Sequence, residues 1–128
     1  MNKIIKSIRT IPDFPKKGIM FRDVTTLFSN PTAFKQTINE ICNYWENKNL
    51  TKIIGIEARG FIIGSCVSLE LGLPFIPIRK KGKLPHTTIE ESYELEYGKA
   101  TIEIHSDALD ANDNVLIIDD LIATGGTA

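Results

Sequence analysis

At 128 residues, with 42% apolar and 24% charged side chains, the chain is large enough to bury a core but small for a doubly wound fold, so one domain spanning 1–128 is expected. Its 15 basic and 16 acidic residues leave a net charge of −1, which excludes a global attraction to nucleic acid or to membrane surfaces. Two cysteines, Cys42 and Cys66, fall on separate predicted helices without metal-ligand spacing, and no apolar run reaches signal-peptide or membrane-spanning length. Reduced thiols and a cytoplasmic setting are the expectation.

Residues 2–9 read as a short helix with Ile4, Ile5 and Ile8 on one side, broken by Pro12 and Pro15. Residues 18–25 follow no simple period and admit two readings. Gly18 ahead of bulky side chains lets the backbone approach a flat ligand on which Phe21 stacks while Arg22 and Asp23 lock the loop; alternatively this is an edge strand with a surface ion pair. Asn30-Pro31 opens the strongest helix, asparagine as cap and proline in the first turn, with Phe34, Ile38, Ile41 and Trp45 forming one core-facing stripe. Residues 52–56 read as a buried strand running into Glu57-Ala58-Arg59-Gly60-Phe61. An acid and a base at a strand end, before a glycine and a new helix, sit where open α/β sheets bind ligands. At such an edge Glu57 and Arg59 either pair only with each other or serve the ligand site. The helix over 61–71 stops at Gly72.

Strand 75–78 follows, implying a right-handed crossover and a parallel pair. It leads into Arg79-Lys80-Lys81-Gly82-Lys83, the one local concentration of positive charge, which is either a solvated loop or an anion site. Residues 85–92 lack a period and read as a mobile lid. Tyr93, Leu95 and Tyr97 alternate with Glu94 and Glu96, Gly98-Lys99 turns the chain, and Ile102 and Ile104 alternate in the return strand, so a hairpin is expected. His86 and His105 have no partner pattern. After a polar connection over 107–114, the continuous apolar run Val115-Leu116-Ile117-Ile118 reads as a strand covered on both faces. Asp119 and Asp120 stand at its carboxyl end, and Ala123-Thr124-Gly125-Gly126-Thr127 has the glycines and hydroxyls of an anion-binding nest. Two carboxylates for ribose hydroxyls beside a phosphate cradle describe a sugar-phosphate site, and no GxxxxGK[ST] pattern is present.

The stretch from Val115 to Ala128 resembles the phosphoribosyl pyrophosphate (PRPP) motif of type I phosphoribosyltransferases. Phe21-Arg22-Asp23, the Glu57–Phe61 turn, R-K-K-G-K-L-P from Arg79 and S-Y-E-L-E-Y-G-K-A from Ser92 are similar to the corresponding segments of the adenine phosphoribosyltransferases, in family order from Ile11 onward. The resemblance implies an α/β type I phosphoribosyltransferase-like fold: a mostly parallel central sheet flanked by helices, with a β-hairpin lid. It implies formation of AMP and pyrophosphate from adenine and PRPP in purine salvage, with Mg²⁺ carried through PRPP rather than by a direct metal site. Arg59, Arg79, Lys80 and Lys83 then hold PRPP with the amides of Ala123, Thr124, Gly125, Gly126 and Thr127. Met20, Phe21 and Arg22 hold adenine, Asp119 and Asp120 hold the ribose, and Glu96 is the candidate acid or base. The family further implies a homodimer in which the Arg79 region reaches a neighbouring site.

Two rivals are a family remnant that keeps the fold without turnover and a phosphoribosyltransferase for another base; the motifs around Phe21 and Glu96 argue against the second. Measured against family length, a C-terminal helix and strands are expected to be missing after Ala128. Val115–Ile118 is then expected to be partly exposed, and the 128-residue chain alone to be only partly folded and nearly inactive.

Overall fold

The computed structural model describes residues 2–95 and 98–120. Its elements run α1 (Asn2–Ser7), β1 (Arg9–Pro12), β2 (Met20–Asp23), α2 (Thr25–Phe28), α3 (Pro31–Trp45), β3 (Lys52–Ile56), α4 (Arg59–Leu71), β4 (Phe75–Lys80), β5 (Thr88–Leu95), β6 (Gly98–His105) and β7 (Val115–Ile118). They gather into two compact units divided between Tyr44 and Trp45.

In the first unit the opening helix is shorter than periodicity suggests. It gives way at Arg9 to a strand that pairs antiparallel with β2, placing Ile11 opposite Phe21. The edge-strand reading of residues 18–25 therefore holds for the backbone, but only the arginine of its ion pair lies on the surface. Asp23 is buried and accepts hydrogen bonds from Arg9 Nε and Nη2 and from the amide and hydroxyl of Thr25. Those bonds, the Thr25 hydroxyl foremost and Arg9 next, lower the Asp23 carboxyl to about 2. Arg22 takes no part in this lock; it donates to the Thr10 hydroxyl on β1. The cap at Asn30 is present, its Oδ1 accepting from the Ala33 amide at 3.1 Å. The buried face of α3 centres on Ala33, Ile38 and Cys42, whereas Phe34, Ile41 and Trp45 are half-buried flanks.

In the second unit β3 is buried almost throughout, as its unbroken apolar run demands. Helix α4 begins at Arg59, two residues earlier than expected, and packs on β3, β4 and β7. Gly72 ends it in the left-handed conformation, φ 68°. The Phe75 ring fills the space that side chains at Gly55 and Gly64 would need: a Cβ on either glycine would lie 2.6 or 2.8 Å from it. Ile53 and Val67, fully enclosed, each contribute roughly 1.5–3 kcal/mol of burial.

The sheet order is β5-β6-β4-β3-β7, and it is mixed rather than mostly parallel. β3 runs parallel to β4 and β7, but β6 lies antiparallel to both β4 and β5. The reason is connectivity: parallel neighbours need a crossover such as α4, while the hairpin returns directly along β4. Residues 88–92, expected as part of a lid, belong to β5, and Gly98 and Lys99 already belong to β6. β7 is also not covered on both faces. Among the described residues it is the sheet edge, with Ile118 buried and Ile117 45% exposed, in line with the partial exposure expected for this strand. Among the described residues no helix is long and apolar enough to cross a membrane.

Candidate functional site

Because β3, β4 and β7 are mutually parallel, their carboxyl ends lie on one sheet edge, which brings the Glu57 turn, the basic segment and the aspartate pair together. A pocket of about 170 Å³ opens there. Ile56, Ile78 and Ile102 supply its apolar lining, and Glu57, Arg79, Lys80, Tyr93 and Asp119 the polar part.

Glu57 is the centre of the cationic side. Its Oε1 accepts from Arg79 Nε at 3.2 Å and from the Lys80 amide at 3.0 Å, and its Oε2 accepts from Lys83 Nζ at 2.6 Å. The side chain is 9% exposed, and these donors, the Lys83 ammonium first, hold its carboxyl at about 2 against the opposing effect of burial. Glu57 does not pair with Arg59. Arg59 instead reaches β7, its Nε 2.8 Å from Asp120 Oδ2. The pairing of Glu57 with Arg59 is thus corrected: Glu57 takes the basic segment, and Arg59 takes an aspartate of the candidate ribose site.

The basic segment is braced a second time from β6, where buried Glu103 accepts from the Gly82 amide and the Thr88 hydroxyl. Thr88 foremost, these bonds lower its carboxyl. Lys81 faces away toward Glu90 at 3.4 Å, both exposed. Among the described residues no carboxylate pairs with Lys80, which contributes to the pocket. Arg59, Arg79, Lys80, Lys83, Asp119 and Asp120 are therefore brought to one sheet edge.

The two aspartates are unequal. The Asp120 amide donates to Asp119 Oδ1 at 2.8 Å. Burial pushes the Asp119 carboxyl up, and the neighbouring Asp120 carboxylate adds to the rise. Gly60, in the first turn of α4, is what lets β7 end so close: a Cβ there would lie 2.6 Å from the Ile118 carbonyl oxygen and 3.2 Å from Asp119 Cα.

Met20, Phe21 and Arg22 lie on β2 in the first unit. The Phe21 ring meets Phe14 edge-on, centroids 5.1 Å apart, and Met20 is exposed. Phe14 carried no sequence signal, lying between two prolines without a period. Glu57 and Gly60 were visible as a strand-end acid and a turn glycine, but their partners were not. Glu96 and Ala123, Thr124, Gly125, Gly126 and Thr127 lie outside the described residues.

The depressed carboxyls make acid sensitivity a prediction. Glu57 falls from an ordinary 4.5 to about 2, and Asp113, bonded foremost by Lys52, falls from 3.8 to about 2. A lowered folded value adds stability above the unfolded value and loses it as pH falls toward the folded one. The thermal midpoint should thus stay level from neutrality to about pH 5 and decline between about 4.5 and 2, as followed by circular dichroism. Asp113→Asn should make that decline shallower; an unchanged slope would show that the Lys52–Asp113 pair, 2.9 Å long, contributes nothing.

The family model for the phosphoribosyl transferase domain matches residues 23–128. An adenine phosphoribosyltransferase of Shewanella sp. (strain ANA-3) is 57% identical over 127 residues, covering 99% of this chain and 69% of that protein. The crystal structure of adenine phosphoribosyltransferase from Rhodothermus marinus superimposes with a TM-score of 0.88 at 48% identity, over 98% of this chain and 72% of that one. The Giardia lamblia enzyme complexed with 9-deazaadenine gives a TM-score of 0.91 at 41% identity, over 98% and 70%. With the strand-end turn, basic segment and aspartate pair on one sheet edge, this chain belongs to the phosphoribosyl transferase domain family and, within it, to the adenine phosphoribosyltransferases.

Proposed function

We propose that this chain transfers the phosphoribosyl group of PRPP to adenine, releasing pyrophosphate and forming AMP in purine salvage. The observation that carries this reading is the pocket in which Arg79 and Lys80 face the same space as Asp119. A diphosphate leaving group needs cations, and a ribose ring gaining positive charge needs carboxylates; preorganised charge of this kind is the main catalytic resource for such a step.

In this reading Arg59, Arg79, Lys80 and Lys83 receive the diphosphate oxygens. Asp119 and Asp120 accept hydrogen bonds from the ribose hydroxyls and offset the ring charge. The backbone amides of residues 123–127 hold the 5′-phosphate, and Met20, Phe21 and Arg22 hold the purine, with Phe14 fixing the Phe21 ring. The 9-deazaadenine in the Giardia lamblia relative supports a purine base as acceptor. Glu96 serves as the acid or base at a purine ring nitrogen, on resemblance alone.

Mg²⁺ fits as a companion of the diphosphate. The diphosphate oxygens are the hard ligands it favours. When bound, it supplies positive charge to the departing pyrophosphate. A homodimer follows from the resemblance, and the free thiols of Cys42 and Cys66 suit a cytoplasmic setting.

The test is AMP formation from PRPP with Mg²⁺ and either adenine or hypoxanthine. Strong preference for adenine is expected, because a site built for one ring edge leaves polar groups unpaired against the other. Comparable rates with hypoxanthine would reassign the base, and no product with any purine from a chain extended to the length of its relatives would remove the reading.

A further inference from the structure

Glu57 has the arrangement of a part that aims other parts. Its carboxylate gathers donors from 22, 23 and 26 residues further along the chain, and from the first two it takes an inner one. From Arg79 it takes Nε, so that among the described residues both terminal nitrogens remain available to an anion. From Lys80, a lining residue of the pocket, it takes the backbone amide and not the ammonium. From Lys83 it takes one of three ammonium protons. A carboxylate that merely occupied the anion site in the absence of ligand would engage the outward groups of Arg79 and Lys80 as it does that of Lys83. Glu103 supports the same segment from the other side by holding the Gly82 amide.

We propose that Glu57 is a positioning residue for the diphosphate: it stays bonded to Arg79, Lys80 and Lys83 while their outward donors grip the ligand. This rests on the functional reading above. It opposes the simpler expectation that a negative charge beside an anion site weakens binding. The two ideas predict opposite signs when the charge is removed, so the sign of the change decides between them.

The experiment is calorimetric titration of the chain with inorganic pyrophosphate and Mg²⁺, paired with KM values for PRPP and adenine. Loss of a partner that orients a metal-ligating side chain typically costs about 10–100-fold, and the same scale is taken for these anion-binding side chains. Glu57→Gln should therefore raise the Kd for pyrophosphate and the KM for PRPP at least about tenfold, with the KM for adenine little changed. Glu57→Asp keeps the charge but draws it back by one methylene, and should weaken pyrophosphate by a smaller factor. It also decides the question if the glutamine variant does not fold. Unchanged or tighter pyrophosphate binding in either variant, with a wild-type chain that binds it, overturns the positioning role alone. A wild-type chain that binds neither pyrophosphate nor PRPP overturns the functional reading and this inference together.

Discussion

In a chain extended to the length of its relatives, asparagine at either Asp119 or Asp120 is expected to lower kcat for AMP synthesis by roughly 10²–10³-fold, the range typical of removing one preorganised electrostatic contact. Each substitution conserves shape while removing the charge that would face the ribose ring. Their effects on stability should differ. Burial raises the Asp119 carboxyl above its ordinary value. The unfolded chain therefore releases that proton first as pH rises, and the ionised group costs folding stability at neutrality. Asp119→Asn relieves that cost, so its thermal midpoint at pH 7 should equal or exceed that of the wild type while turnover falls. Asp120→Asn removes the partner of Arg59, 2.8 Å away, and should lower the midpoint along with turnover. Steady-state kinetics beside thermal unfolding reads both; wild-type turnover in the two variants would take the ribose role away from this pair.

Gly60→Ala is the second large effect expected, although it adds only a methyl group. The new Cβ would lie 2.6 Å from a backbone oxygen, which cannot rotate aside as a side chain can, so either α4 or the end of β7 must move. Overpacking of this kind costs about 1–3 kcal/mol. For a domain of this size that is a fall of roughly 3–15 °C in the thermal midpoint. The shift would fall on Ile118 and Asp119, the latter part of the pocket lining, and a misplacement near 1 Å can cost about 10²-fold in rate. Gly72→Ala is the control. It strains a left-handed backbone at φ 68° with open space around it, so it should lower the midpoint without lowering kcat. Equal kinetic losses in the two variants would show that Gly60 acts on the site only through global stability.

What the sequence determined by itself is local. Asn30 caps α3 because its side chain reaches an amide three residues ahead, and Gly72 ends α4 because only the residue's own backbone has to turn left-handed. The apolar run at residues 52–56 announces a buried strand for the same reason, since covering both faces is recorded in its own side chains. The family motifs were legible too, placing the basic segment and the aspartate pair at strand ends before any pairing was known.

Tertiary structure decided everything that depends on a neighbour from elsewhere in the chain. β1 carries little signal of its own and becomes a strand by pairing with β2. Val115-Leu116-Ile117-Ile118 has the composition of an interior strand, yet its exposure follows from lying beside β3 at the edge of the described sheet. The ion pairs show the same limit most sharply. Glu57 and Arg59 are two residues apart and of opposite charge, but strand and helix carry them to different partners, Glu57 to the end of β4 and Arg59 to the end of β7. Which opposite charges meet is fixed by which strand ends adjoin, and strand order is a long-range property that no local pattern encodes.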